Sequence, residues 1–206
     1  MDYATINRKQ REAETDSFTA RRYAQFASHL EDGPLRVLDV GSSTGRGGEE
    51  LRRHLPEVEL WALDCVSERL DRIDRAVYRS VLCAEAMSIP VADGFVDAII
   101  AGEFIEHLTP EDAAASLREF YRVLRSGGSV LLTTPNPRYV RLLVSGRTVT
   151  GGAHLSEWTP GSLIGLLQAS GFRKEFVEGT GRVSSILGRH LPDRVYGSYM
   201  IGAVRS

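Results

Sequence analysis

The stretch Val37-Leu-Asp39-Val-Gly41-Ser-Ser43-Thr-Gly45 decides how the rest of the chain is read. An apolar run that ends in an acidic residue and turns at once on small residues is a β-strand delivered into a tight loop. Asp64 closes a second apolar run, Val58-Glu-Leu60-Trp-Ala-Leu63. A tight turn after the first strand lets backbone N–H groups approach a ligand, and a carboxylate at the end of the second accepts hydrogen bonds from both hydroxyls of a ribose. Glycine and serine in the turn alone also fit plain chain reversal, but Asp39, Asp64 and the segment around Asp97, in that order, favour a nucleoside-cofactor site. The loop Gly41 to Gly48 lacks the Lys-Ser or Lys-Thr ending of a phosphate-cradling P-loop, which argues against a nucleoside triphosphate. It departs from strict G-x-G-x-x-G as well.

Working outward, strands are expected at 35–40, 58–63, 79–83, 95–101 and 128–134, with helices near 46–55, 67–75 and 110–125. This alternation implies an α/β fold: a doubly wound, Rossmann-like, mostly parallel sheet with helices on both faces and its ligand site beyond the carboxyl ends of the strands. Asp39, Asp64 and Glu103 fall at those ends. Thr159-Pro160 fits an N-cap followed by proline in the first turn, Gly171 fits the stop, and strand-like runs follow near 173–178 and 196–204. Residues 136–156 are expected to form a long loop over the substrate. Residues 5–30 read as helical, with Phe18, Tyr23, Phe26 and Leu30 on one face before the break at Asp32-Gly-Pro34. That face needs a covering surface, either the sheet edge, the cofactor as a lid over residues 1–30, or a second copy in a homodimer.

The 206 residues suit one domain, 1–206, and the net charge of −2 argues against long nucleic acid as a partner. Cys65 and Cys83 are the only cysteines, and they lack C-x-x-C spacing. The charged stretch from Met1 to Gln25 is no signal-peptide core, and no run approaches the roughly 18 apolar residues of a membrane span. A soluble, reduced, cytoplasmic setting is the expectation.

Val37 to Gly45 resembles motif I of class I S-adenosylmethionine-dependent methyltransferases, and Leu63-Asp64 resembles their acidic second-strand residue. Phe95-Val-Asp97-Ala-Ile-Ile100 is similar to their fourth-strand motif, and Tyr121 to Leu132 to their turn into strand five. The resemblance implies S-adenosyl-L-methionine as cofactor. Backbone at Gly41, Ser43 and Gly45 would meet its methionine part, Asp64 the ribose and Cys65 the adenine side, with Asp39, Ala84 and Glu85 completing the set. Ser43 replaces a common glycine, and Cys83 stands where an aspartate often meets the adenine amine.

Past the fourth strand comes Glu103-Phe-Ile-Glu106-His107. Its carboxylates and imidazole converge if the chain bends into a helical turn, and His154, in a glycine-bounded loop, is expected to return over the same strand ends. Two carboxylates and two imidazoles suit Mg²⁺ or Mn²⁺, and the nitrogens also suit Zn²⁺. The alternative is a histidine that only packs or hydrogen-bonds. The pattern resembles the metal-dependent 2′-O-methyltransferase of plant small RNAs, which implies Glu103, Glu106, His107 and His154 as ligands and a vicinal diol as the group gripped. The tail, with Gly151 to His154, Trp158-Thr-Pro160 and Gly197-Ser-Tyr199, resembles bacterial sugar and polysaccharide O-methyltransferases, including those of mycobacterial methylmannose polysaccharide biosynthesis. The reading is an O-methyltransferase of a sugar or oligosaccharide hydroxyl, with His107, His154 and Glu106 as catalytic candidates. Trp158 and Tyr139 are candidates for sugar stacking or for core packing, and Arg138, Arg141 and Arg147 for an anionic substrate or a solvated loop. Two other readings stand: a metal-independent methyltransferase of a quinone or other small metabolite, with His107 or His154 as base, and a non-catalytic cofactor-binding regulator.

Overall fold

In the computed structural model, which describes residues 1–8 and 17–206, strand pairing builds one seven-stranded sheet in the order β3-β2-β1-β4-β5-β7-β6. The strands are β1 (Arg36–Val40), β2 (Glu59–Asp64), β3 (Ser80–Cys83), β4 (Val96–Gly102), β5 (Leu124–Pro135), β6 (Phe172–Thr180) and β7 (Ser198–Arg205). The first five are mutually parallel, while β7 runs antiparallel between β5 and β6. The strand order reverses at β1, which lies between β2 and β4. Ligands of open α/β sheets bind at such a reversal.

Alternation along the strands sends side chains to two cores. Leu38, Val40 and Ile99 face a cluster with Leu117 and Phe120 of helix α5 (Pro110–Val123) and Leu163 and Leu167 of α7 (Pro160–Ala169). Val37 and Ile100 face the opposite cluster, with Tyr23 and Phe26 of α2 (Ser17–Ala27) and Leu51 of α3 (Arg46–His54). Helix α7 starts as the sequence implies and α5 starts the same way: Thr159 and Thr109 accept from the N–H groups of Ser162 and Asp112, and proline follows each.

Several elements differ from expectation. The N-terminal helix is described as α1 (Tyr3–Arg8) and α2, and residues 9–16 of the expected span lie outside the described residues. Helix α4 (Ser67–Leu70) is shorter than 67–75, because Asp74 Oδ1 turns back to accept from Ala76 N–H at 2.8 Å and competes with helix continuation. Strand β5 begins four residues early and carries an irregular register against Val96 and Ala98. The 136–156 loop contains a short helix, α6 (Val140–Val144), and α8 (Arg182–Leu187) was not anticipated.

Candidate active site

The first turn owes its shape to left-handed backbone. Gly41 has φ 72°, and a Cβ there would lie 3.1 Å from the Phe104 ring. Ser43 adopts φ 49° without being glycine, and Glu103, across the cleft, adopts φ 51°. Side-chain-bearing residues rarely hold this conformation, and where they do it usually marks a functional wall. Asp64 stabilises the turn: its Oδ2 accepts from Ser43 N–H at 3.0 Å and its Oδ1 from Val66 N–H at 2.9 Å. A carboxylate has about four acceptor directions, so two remain for ribose hydroxyls.

Around this turn lies a cavity of ≈ 290 Å³. Gly41, Ser43, Asp64, Cys65, Ala84 and Glu85 all line it, as expected of cofactor contacts. Burial, then the Asp64 charge, pushes the Cys65 thiol up to about 11, so it is a neutral wall rather than a nucleophile. The structure places two expected residues elsewhere. Gly45 caps α3 with φ 81° against Tyr78 and Ile73. Asp39 has no exposed surface and accepts from Tyr23 and Tyr78 hydroxyls at 2.7 and 2.5 Å. Burial raises its carboxyl to about 6 despite both hydrogen bonds. The glycines that looked like a loop feature make room for these rings: a Cβ on Gly47 would collide with Tyr23, and one on Gly48 with Tyr78.

The N-terminal segment supplies cavity walls not singled out in the sequence: Tyr3, Asn7, Thr19 and Arg22. Tyr3 is anchored by its hydroxyl to Asp112 and by Thr109 N–H. The four-residue spacing of Tyr3 and Asn7 was the one available signal, since it puts both on one helical face.

Beyond β4 the chain makes a single 3₁₀ turn, Ile105–His107, which buries Glu106 completely. Glu106 Oε2 accepts from Thr134 Oγ1 at 3.0 Å, while Oε1 is buried with no hydrogen-bond partner among the described residues. The Glu106 carbonyl accepts from Leu155 and Ser156 N–H at 2.8 and 3.1 Å, which ties the returning loop to this turn. Gly151 and His154 pair reciprocally at 3.1 Å, and the hairpin delivers His154 to His107, their rings 4.9 Å apart. One ligand atom each from Glu106, His107 and His154 lies within 4.8 Å of the others.

Both imidazoles are oriented by backbone. His107 Nδ1 is 3.1 Å from the Ala153 carbonyl and His154 Nδ1 3.0 Å from that of Val149. A carbonyl only accepts, so each Nδ1 carries the hydrogen of its bond. Burial and the adjacent His154 lower His107 to about 4, which keeps its ring neutral at pH 7. Burial, reinforced by Glu103, pushes Glu106 far above the usual carboxylate range. A buried oxygen without a hydrogen-bond partner among the described residues, grouped with two imidazoles held by backbone carbonyls, fits a divalent cation.

Glu103, the fourth expected ligand, stands outside this group. Leaving β4 in the left-handed region, it directs Oε1 toward Arg22 Nη2 at 3.8 Å, and its Oε2 accepts from Ser198 Oγ at 3.4 Å. Trp158 belongs to the core, 8% exposed, with its indole N–H on Ser156 Oγ at 2.8 Å, and cannot stack on a sugar. Arg138 pairs with Asp193 at 3.5 Å. Tyr139 and Arg141 line a second, open chamber beside Glu103, and Arg147 is exposed.

Residues 37–128 match the family described as "Methyltransferase domain". A malonyl-[acyl-carrier protein] O-methyltransferase of Laribacter hongkongensis is 30% identical over 66% of this chain and 50% of its own length. A demethylmenaquinone methyltransferase of Deinococcus radiodurans is 28% identical over 75% of each chain. The chain thus spans half the length of the first relative. Among solved structures, an S-adenosylmethionine-dependent methyltransferase of Thermotoga maritima, described as a possible histamine N-methyltransferase, superposes with a TM-score of 0.72, covering 99% of this chain and 100% of its own at 16% identity. Among the described residues no helix is long and apolar enough to cross a membrane.

Proposed function

We propose that this chain, whose residues 37–128 match a methyltransferase domain and whose sheet has the class I methyltransferase fold, is an S-adenosylmethionine-dependent methyltransferase of a hydroxyl of a sugar or oligosaccharide, assisted by a divalent cation. The observation that carries the reading is the buried Glu106 Oε1, unpartnered among the described residues and grouped with His107 and His154. A sugar hydroxyl has a high pKa and is a poor nucleophile, so alkoxide character must develop during attack. Glu106, His107 and His154 would hold the cation, which would supply Lewis-acid stabilisation of that charge. With two nitrogens and one carboxylate in the group, the donor set suits Mn²⁺ or Zn²⁺ better than Mg²⁺.

The chain's own residues do the rest. Asp64 and the Gly41 to Ser43 turn hold the ribose and methionine ends of the cofactor, and the N-terminal segment closes over it as a lid that excludes water. Glu103 lines both the cofactor cavity and the neighbouring chamber. In this reading Glu103 would take the acceptor's proton as the new oxygen–carbon bond forms, the sulfur–carbon bond breaks, and sulfur keeps that electron pair. The Deinococcus relative favours a second reading, a quinone-type acceptor methylated without metal, with His154 as base. Methyl transfer from labelled cofactor to a glycoside panel and to a demethylated naphthoquinone decides between them. The proposal expects label on a glycoside; label on the quinone alone, unaffected by EDTA, would replace it with the second reading.

A further inference from the structure

A chamber of ≈ 750 Å³ opens beside the cofactor cavity and shares two of its walls, Arg22 and Glu103. Its size falls within the roughly 300–1,000 Å³ of small-molecule sites. Its polar end is Glu103 with Ser198, the place where the proposed reaction needs its acceptor oxygen. Its other walls are mixed but mostly apolar: Phe18, Tyr139 and, from α8, Val183, Ile186 and Leu187 are apolar or aromatic, while Arg141 of α6 and Thr180 are polar. Ile186 and Leu187 are 67% and 62% exposed, and on α6 Leu143 and Val144 are 56% and 83% exposed. Concentrated apolar exposure at the mouth of a cavity marks a surface that something apolar covers. A free sugar would leave these side chains in water and gain nothing from them.

We infer that this chamber holds an apolar chain carried by the acceptor, so that the substrate is an amphiphile: a hydroxylated head at Glu103 and an alkyl or prenyl tail between Tyr139, Ile186 and Leu187. The inference rests on the acceptor-side role given to Glu103 above. The acceptor's own tail is the occupant because the chamber shares Arg22 and Glu103 as walls with the cofactor cavity.

The test uses methyl, n-octyl and n-dodecyl glycosides, each below its micelle concentration, with the full-length protein and S-adenosylhomocysteine. Binding is followed by calorimetry, and methyl transfer is measured in parallel with S-adenosylmethionine. A fully buried methylene is worth about a fourfold change in affinity, and a chamber open on one side leaves about twofold per methylene. Affinity should therefore rise at least tenfold from octyl to dodecyl. In an Ile186→Ser/Leu187→Ser double variant, whose exposed positions leave the core intact, this rise should largely vanish while S-adenosylhomocysteine binds as before. A flat chain-length series in the wild type overturns the inference, as does a rise that survives undiminished in the double variant. Chain-dependent binding without methyl transfer keeps the chamber and removes the sugar reading, whereas transfer to the methyl glycoside with a flat series does the reverse.

Discussion

Asp64 and Asp39 both end parallel strands at the cleft, yet their environments give them different work. Asp64 faces the cavity and already orients the turn through Ser43. Two further hydrogen bonds from ribose to this charged acceptor would each contribute about 1.5–3 kcal/mol, so Asp64→Ala should weaken S-adenosylmethionine binding at least tenfold. Unchanged affinity by calorimetry would refute the assignment. Asp39 lies behind the wall, and its carboxyl, raised to about 6 from an ordinary 3.8, favours the protonated state in the folded chain. Its contribution to stability is complete below pH 4 and lost as pH rises through about 6, a difference of roughly 3 kcal/mol. The stability of wild type relative to Asp39→Asn should therefore fall between pH 4 and pH 7 in denaturant titrations, and a gap independent of pH would contradict the buried-acid account. Strand position made both aspartates legible as acids at the ligand end. It did not distinguish them, because the partners of Asp39, Tyr23 and Tyr78, come from distant segments that no local pattern connects to it.

At the scale of elements, the sheet strands were legible because apolar runs bounded by turn residues leave few other options, and α7 because its Thr159-Pro160 start satisfies a first-turn donor. Short helices such as α6 and α8 escape notice since one or two turns carry no readable period. The clustering of Glu106, His107 and His154 was legible in part. Glu106 and His107 are local to one turn, and His154 was expected on its glycine-bounded loop. Glu103 departs because its left-handed backbone redirects the side chain, a feature invisible in a residue type. The N-terminal segment carries its own prediction. Tyr3 is buried and, with Asn7, lines the cavity, so removing residues 1–8 should lower stability by about 1.5–3 kcal/mol and weaken cofactor binding several-fold. If thermal melting shifts while cofactor affinity stays as it was, the segment is a structural cap and not a lid.

In the molecule as a whole, the strand reversal at β1 gathers three separate stretches at one edge of the sheet: the first turn with Asp64, the 3₁₀ turn with Glu106 and His107, and the hairpin with His154. The proposed cofactor anchors Gly41, Ser43 and Asp64 and the proposed cation ligand Glu106 follow different strands, so they are separable by mutation. Glu106→Gln should reduce methyl transfer at least a hundredfold and leave S-adenosylmethionine affinity within about twofold, the pattern of an interaction made in the transition state. The most direct measurement is the methyl-transfer rate of protein stripped with EDTA and then reconstituted. Activity should disappear on stripping and return with Mn²⁺, and Glu106→Gln should not be restored by the same addition. Full turnover by the stripped wild-type protein would contradict the cation-assisted reading.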